Sequence, residues 1–338
     1  SAFLGAILYY LAIGLRVHFM ALKHEMKAMD PSEMITWKQV IKDSYLLIPL
    51  VVLITYLVIG YSPFGAATAS IAVTFLLSFL RKDTMLTPKR LFQVFSLSGH
   101  NLVMLAVSCA GAGIVISVVT YTGLALGIAT VITSFAGGFL LPALIMIMLT
   151  SIVLGMGLPC TPAYIIAVTI GGPALLALGI DKLSAHLFVF YFAILAEVTP
   201  PVCIAAYCGA AIAGTKPMAT GFEAAQLAIM GYLIPFIFVY NPALLMQGPV
   251  GMIVATFLIM VVVSILSASA FSGYMFKNMK LYQSLLVGAS AIGLTVLAAN
   301  ANFLAKGLVQ AGVIAASVVL IGIFVTVNHR ALKAIKAA

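Results

Sequence analysis

The sequence predicts an all-α, polytopic membrane protein whose apolar helices are interrupted at two places. Three observations carry this. First, 64% of the 338 residues are apolar and only 7% are charged, against a charged share of about 25% in soluble domains. Second, no Asp, Glu, Lys or Arg occurs between Arg90 and Asp181. Third, prolines and small polar residues break the apolar run at GMGLPCTP (Gly155 to Pro162) and EVTPPV (Glu197 to Val202). In lipid, non-helical backbone is tolerated only where it is buried in protein or lines a polar cavity.

The net charge of +9 does not indicate nucleic acid. The basic residues lie in short clusters beside apolar spans, as the positive-inside rule expects. The cysteines Cys109, Cys160, Cys203 and Cys208 all fall in apolar segments. Without His or Cys at metal-ligand spacing, they read as small buried residues rather than disulfides or a metal site.

In chain order, Ser1 leads at Ala2 into an apolar helix with no charged n-region of a signal peptide, as expected of a piece of a longer chain. The first span is predicted to end at Arg16. An interfacial helix and linker follows, with Lys23, Lys27, Lys38 and Lys42 beside Phe19, Met20, Met26 and Trp37. Basic amphipathic segments beside spans are common, so a calmodulin-like target is the weaker alternative. Tyr45 to Tyr61 and Pro63 to Leu80 form a pair of spans around Ser62-Pro63. The basic run RKDTMLTPKR then returns to the starting side. Leu97 to Thr122 is the next span, with Gly99, His100, Asn101, Ser108, Gly111 and Gly113 making part of it small and polar. His100 reads as a hydrogen-bonded helix-start histidine in preference to a proton relay.

Leu124 to Gly137 is ambiguous as a span. Phe139 to Leu154 and Ala163 to Ile180 flank the first break, and their lengths suit either two crossings or the limbs of a re-entrant hairpin. At the second break Thr199 is predicted to be an N-cap, with Pro200 and Pro201 in the first turn of a helix running to Gly214. Such a helix reaches only about 20 Å, short of a bilayer core of about 30 Å, which makes it a half-helix. The plainer reading of such a break is a proline kink without a ligand; pairing of two breaks in a charge-poor region favours a site.

Glu197 is the only carboxylate deep in the apolar part, and it has two readings. It either caps the free N–H groups at Thr199 to Cys203, or it ligates a cation or carries a proton. Glu223 is expected to complement a helix N-terminus. Phe222 to Leu245, with Pro235 and Asn241-Pro242, and Pro249 to Phe276 are further spans. Lys277 and Lys280 precede Leu281 to Ala299, and Leu308 to Val327 ends at the basic cluster Arg330, Lys333 and Lys336.

LGMGLPCTPAYIIA, PALLALGI, SAHLFVFYF, TPPVCIAAYCGAAIAG and FIFVYNPALLMQG, in that order between Thr122 and Gly248, resemble the large membrane subunit of tripartite ATP-independent periplasmic (TRAP) transporters. The similarity extends to the TAXI branch, whose small and large membrane subunits are fused, with this sequence as the C-terminal portion. Cys160 departs from the Thr expected there. The resemblance implies half of an inverted-repeat secondary transporter, with the hairpin reading for the first break and Pro159 to Pro162 at its tip. The divisions it implies are scaffold spans with a cytoplasmic linker over 1–97, the second transport repeat over 98–248, and appended helices over 249–338.

By the same resemblance, the implied function is uptake of an organic anion, a carboxylate, driven by a cation gradient across the bacterial cytoplasmic (inner) membrane. A periplasmic solute-binding protein delivers the substrate, and the small membrane subunit or its fused equivalent is a partner. No cofactor, nucleic acid or enzymatic role is expected; the coupling cation is Na⁺. The residues expected at the ion and substrate site are Gly155, Gly157, Pro159, Cys160, Thr161 and Pro162 at the first break, and Glu197, Thr199, Pro200, Pro201 and Val202 at the second. Two other classes compete. An intramembrane enzyme would pair His186 with Glu197, and a channel would need pore-lining rings and a continuous path.

Overall fold

The computed structural model describes residues 2–26, 36–80, 85–304, 312–313, 315–317 and 319. Linker residues 27–35, the basic run 81–84, most of the expected span Leu308 to Val327, and the cluster Arg330, Lys333 and Lys336 lie outside the described residues. So do the side chains of Asn101 and Ser108. Among the described residues the secondary structure is helical, with a lone bridge between Tyr274 and Asn278 and no strand. An apolar chain in lipid must satisfy its backbone groups within each segment, which selects helices here. Six of these helices are long and apolar enough to cross a membrane, or seven if a bent pair counts as one span.

The chain divides into two compact units, 27–106 and the remainder. In the smaller, helix α2 (Trp37–Asp43) passes through a 3-10 turn (Ser44–Leu47) into α3 (Ile48–Ile59). Helix thus begins at Trp37, within the segment expected to be interfacial, and runs on through the 3-10 turn into the span expected from Tyr45. Ser62 caps α4 (Pro63–Ser78) by accepting from the Gly65 N–H, with Pro63 at the first helical position. Ser70 Oγ donates to the Pro49 carbonyl at 2.8 Å and ties α4 to α3. Val51, Ile54, Leu57, Val58 and Ile71 are exposed, a pattern suited to lipid rather than water. Helix α5 (Pro88–Tyr121) contributes its first residues to this unit and the rest, from Val107, to the other.

The larger unit starts with α1 (Phe3–Lys23), which continues about two turns past the expected end at Arg16. Nothing in VHFMALK breaks a helix, and Phe19 is fully buried. Between α5 and α6 (Leu124–Phe135) the chain bends by 73°, making Leu124 to Phe135 the second limb of a bent helix pair. Then come α7 (Leu140–Gly155), α8 (Cys160–Ala177), α9 (Lys182–Leu195), α10 (Ile204–Ala213), α11 (Pro217–Leu227), α12 (Ile229–Tyr240), a 3-10 turn (Pro242–Leu245), α13 (Val250–Ser272), α14 (Leu281–Ala299) and α15 (Ala301–Leu304).

Two of the cores of this unit each join several helices. Leu144 and Ile147 of α7, Ala163 and Ala167 of α8, and Phe188 and Phe192 of α9 form one, with Phe236 of α12 edge-on to both phenylalanines. Leu8, Met230, Ile234, Phe238, Ile259 and Val263 form the other, joining α1, α12 and α13. Lipid is as apolar as these side chains, so their stabilisation comes from close packing and dispersion rather than escape from water. Lys23 Nζ donates to the Ser272 carbonyl at 2.8 Å, a cation on the C-terminal end of α13, which brings the ends of α1 and α13 to one level.

Asn241 is wholly buried where α12 ends. Its Nδ2 donates to Thr256 Oγ1 at 3.0 Å and to the Ala298 carbonyl at 2.8 Å, while Oδ1 accepts from the Ala243 N–H. One amide thus satisfies groups on α13, α14 and its own turn.

Candidate functional site

Helices α7 and α8 are the limbs of a hairpin whose non-helical tip is Met156 to Pro159. The tip lies ahead of the expected Pro159 to Pro162. Cys160, Thr161 and Pro162 already form the first turn of α8, where a proline's missing N–H costs nothing. Pro159 pushes Leu158 out of the helical region and so ends the turn. Gly157 has φ +77°, a conformation that L side chains rarely hold.

The second break spans residues 196–203, between α9 and α10. The predicted helix start at Thr199 is corrected: α10 begins at Ile204, with Cys203 in the N-cap position. The residue before a proline is driven out of the helical region, and in Thr199-Pro200-Pro201 this applies to Thr199 and Pro200 in turn. The break is therefore longer, and α10 shorter, than predicted. The Ala205 N–H at the start of α10 donates to the Glu197 main-chain carbonyl at 3.2 Å. This contact with α10 is made by the Glu197 main chain, not by its carboxylate.

The two breaks meet. A methyl group built on Gly155 would lie 2.8 Å from the Ala193 carbonyl oxygen and 2.9 Å from Ala196 Cβ, so only glycine allows this limb to approach the end of α9 so closely. Cys160 Sγ donates to Glu197 Oε1 at 3.1 Å. Val202 is the neighbour nearest a methyl built on Gly157, at 3.9 Å. Of the expected site residues, Cys160 meets Glu197 and Gly157 lies nearest Val202, while Gly155 packs against Ala193 and Ala196 at the end of α9. Thr161 is exposed on the first turn of α8, Pro162 is buried beneath it and Pro159 is half-buried. Pro200 is half-buried and Pro201 exposed, and the Pro201 carbonyl accepts from the Tyr207 hydroxyl.

Thr199 Oγ1 donates to the Leu195 carbonyl and lies 2.6 Å from the Tyr232 hydroxyl of α12. Among the described residues, the carbonyls of Met156, Gly157 and Leu158 at the tip, and of Val198, Pro200 and Val202 at the break, accept no backbone hydrogen bond. Both breaks thus present oxygen atoms, the donors that hard cations such as Na⁺ take, and the break adds one carboxylate.

His186 and Glu197 do not pair. His186 Nδ1 is 2.7 Å from the Tyr164 hydroxyl near the start of α9, roughly 14 Å of helix before Leu195 at 1.5 Å per residue. Asp181 caps that helix through the N–H groups of Leu183 and Ser184.

Residues missed in the sequence include Arg16, Tyr232 and the role of Asn241. Arg16 is buried inside α1, and its Nη2 donates to Glu223 Oε2 at 2.8 Å and Gln226 Oε1 at 2.7 Å. Glu223 sits in the second turn of α11, beyond the dipole position expected for it, and pairs with Arg16 instead. A charge followed by seven more helix-compatible residues was the available signal for Arg16. Tyr232 had none, because its partner is 33 residues away.

Residues 1–253, which include both breaks, match the family model described as the tripartite ATP-independent periplasmic transporter, DctM component. No curated protein and no solved structure matches the chain. The match covers 253 of 338 residues and ends inside α13. By this match over well more than half of its length, the chain belongs to the large permease component family of the TRAP transporters.

Proposed function

We propose that this permease drives uptake of an organic anion, a carboxylate, with a sodium gradient, and that the meeting of the two breaks forms one half of its ion and substrate site. The observation that carries this is the convergence of the hairpin tip, Met156 to Cys160, on Glu197 to Val202, where among the described residues the carbonyls of Met156, Gly157, Leu158, Val198, Pro200 and Val202 accept no backbone hydrogen bond. Such carbonyls suit a cation, and the N-terminal end of α10 suits a carboxylate. Gly155, Gly157, Pro159, Cys160, Thr161 and Pro162 on one side, and Glu197, Thr199, Pro200, Pro201 and Val202 on the other, make up this half-site.

The remaining assignments follow the family. A periplasmic solute-binding protein delivers the substrate, and the small membrane subunit is fused as in the TAXI branch. Residues 1–97 serve as scaffold, 98–248 as the second transport repeat and 249–338 as appended helices. The membrane is the bacterial cytoplasmic membrane, with Lys23, Lys216, Lys277 and Lys280 on the inner side. A carrier fits broken helices with opposed dipoles better than a channel does, and no catalytic role is assigned.

The test is uptake of a panel of labelled carboxylates by the full-length transporter in proteoliposomes, with its binding protein outside. Uptake that requires both an inward sodium gradient and the binding protein is the expected result. Uptake unchanged when the gradient is collapsed overturns the coupling, and uptake unchanged without the binding protein overturns the delivery. Thr161→Ala and Thr199→Ala are expected to weaken the sodium dependence; an unchanged sodium titration for both removes the hydroxyls from the site.

A further inference from the structure

We propose that Tyr232 is a positioning residue for the cation site: it holds the Thr199 hydroxyl as an oxygen donor to the bound ion. The inference rests on the sodium-site proposal above and adds to it a residue from a different helix.

The hydrogen-bond directions are settled by counting protons. Thr199 Oγ1 lies within bonding distance of the Leu195 carbonyl and of the Tyr232 hydroxyl, 2.6 Å away. A carbonyl oxygen can only accept, so the single Thr199 proton goes to Leu195. Tyr232 must then donate its own proton to Thr199 Oγ1. A hydroxyl oxygen has two lone pairs, and Tyr232 occupies one of them. The other is left without a proton in front of it, which is the state that a cation ligand requires.

Thr199 needs a partner of this kind because it belongs to the non-helical stretch 196–203, where no regular backbone ladder restrains it. Tyr232, by contrast, belongs to α12 and packs against the main core, its ring 6.5 Å from that of Phe192. Gly231 brings α12 close enough for the reach, since a methyl built there would lie 3.0 Å from Leu195 Cδ2. Tyr232 thus ties the oxygen at the break to a rigid neighbour, and through Leu195 to the end of α9.

The experiment measures sodium itself, so no substrate is needed. Purified full-length transporter is titrated with NaCl against choline chloride at constant ionic strength, and the midpoint of sodium-dependent thermal stabilisation is read. The melting temperature in choline alone reports folding separately. Tyr232→Phe removes only the hydroxyl and is expected to raise the sodium midpoint about fivefold, the factor carried by one hydrogen bond of ordinary strength. Thr199→Val is expected to raise it at least as much. The double variant should match Thr199→Val alone, because Tyr232 acts through that hydroxyl.

Thr199→Ser keeps the hydroxyl and loses the β-branch that restricts its rotation. Held by Tyr232, it should keep the midpoint within about twofold of wild type; this arm also decides the matter if Tyr232→Phe does not fold. A wild-type midpoint for Tyr232→Phe beside a raised one for Thr199→Val overturns the role of Tyr232 alone. Additive shifts in the double variant do the same, as does a Thr199→Ser midpoint raised to the Thr199→Val level. No sodium response in wild type, or a wild-type midpoint for Thr199→Val, overturns the sodium site at Thr199 and this inference with it.

Discussion

Cys160 at the tip of the hairpin donates its thiol hydrogen to the Glu197 carboxylate at 3.1 Å, and this one contact joins two segments 37 residues apart. Glu197→Gln keeps an acceptor for Cys160 and leaves the main-chain carbonyl on Ala205 untouched, so folding should change by only about 1 kcal/mol. Sodium-driven uptake is expected to fall about tenfold or more, since bonds to a charged group are worth ~1.5–3 kcal/mol. Reconstituted uptake at the wild-type rate, ion stoichiometry and pH dependence would take the carboxylate out of the site.

Gly155 allows the hairpin limb to lie against the Ala193 carbonyl. Gly155→Ala places a methyl 2.8 Å from that backbone oxygen, which cannot move aside as a side chain could. A loss of about 1–3 kcal/mol in stability is expected, accompanied by a higher sodium midpoint because the tip is forced from the break. Thermal melting in choline and in sodium measures both parts. A variant with wild-type values for each would show that the close approach is dispensable.

The Asn241 amide satisfies Thr256, Ala298 and Ala243 in a wholly buried place. Asn241→Leu leaves the Ala298 carbonyl and the Ala243 N–H without this partner, at a cost of about 1–3 kcal/mol for each buried group left unsatisfied. The expected outcome is a lower melting temperature with an unchanged sodium midpoint, because the residue is remote from both breaks in its bonding. A melting temperature equal to wild type would show that water or a rearranged turn replaces the amide.

Arg16 carries a charge inside α1 that is 2% exposed, whereas its partner Glu223 is 50% exposed. Glu223→Ala leaves Arg16 with Gln226 alone, and a loss of about 1–2 kcal/mol is expected, at the low end for a broken buried pair because Glu223 is half solvated. Arg16→Met combined with Glu223→Gln should recover most of it, since no buried charge is then left without a partner. Denaturation of the three proteins in the same detergent tests this; a double variant less stable than Glu223→Ala contradicts it.

Composition and local chemistry alone determined the class, the presence of two breaks and their identity. Apolar length, the charge-free run before Asp181, and the glycines and prolines at Gly155 to Pro162 and Glu197 to Val202 act within a few residues of themselves, and their consequences are readable in order. Helix α10 starts at Ile204 and not at Thr199 because Pro201 also keeps Pro200 out of the helical region, an effect that is itself local. Tertiary structure alone decided which distant groups share a hydrogen: Cys160 with Glu197, Thr199 with Tyr232, Arg16 with Glu223, Asn241 with Ala298. Each of these bonds depends on how the helices pack, and helix packing is set by many small dispersion contacts and close glycine approaches that leave no periodic trace in the sequence. Arg16 shows the difference most directly. Its charge marked it as an end of a span, and only the position of α11 made it an interior ion pair.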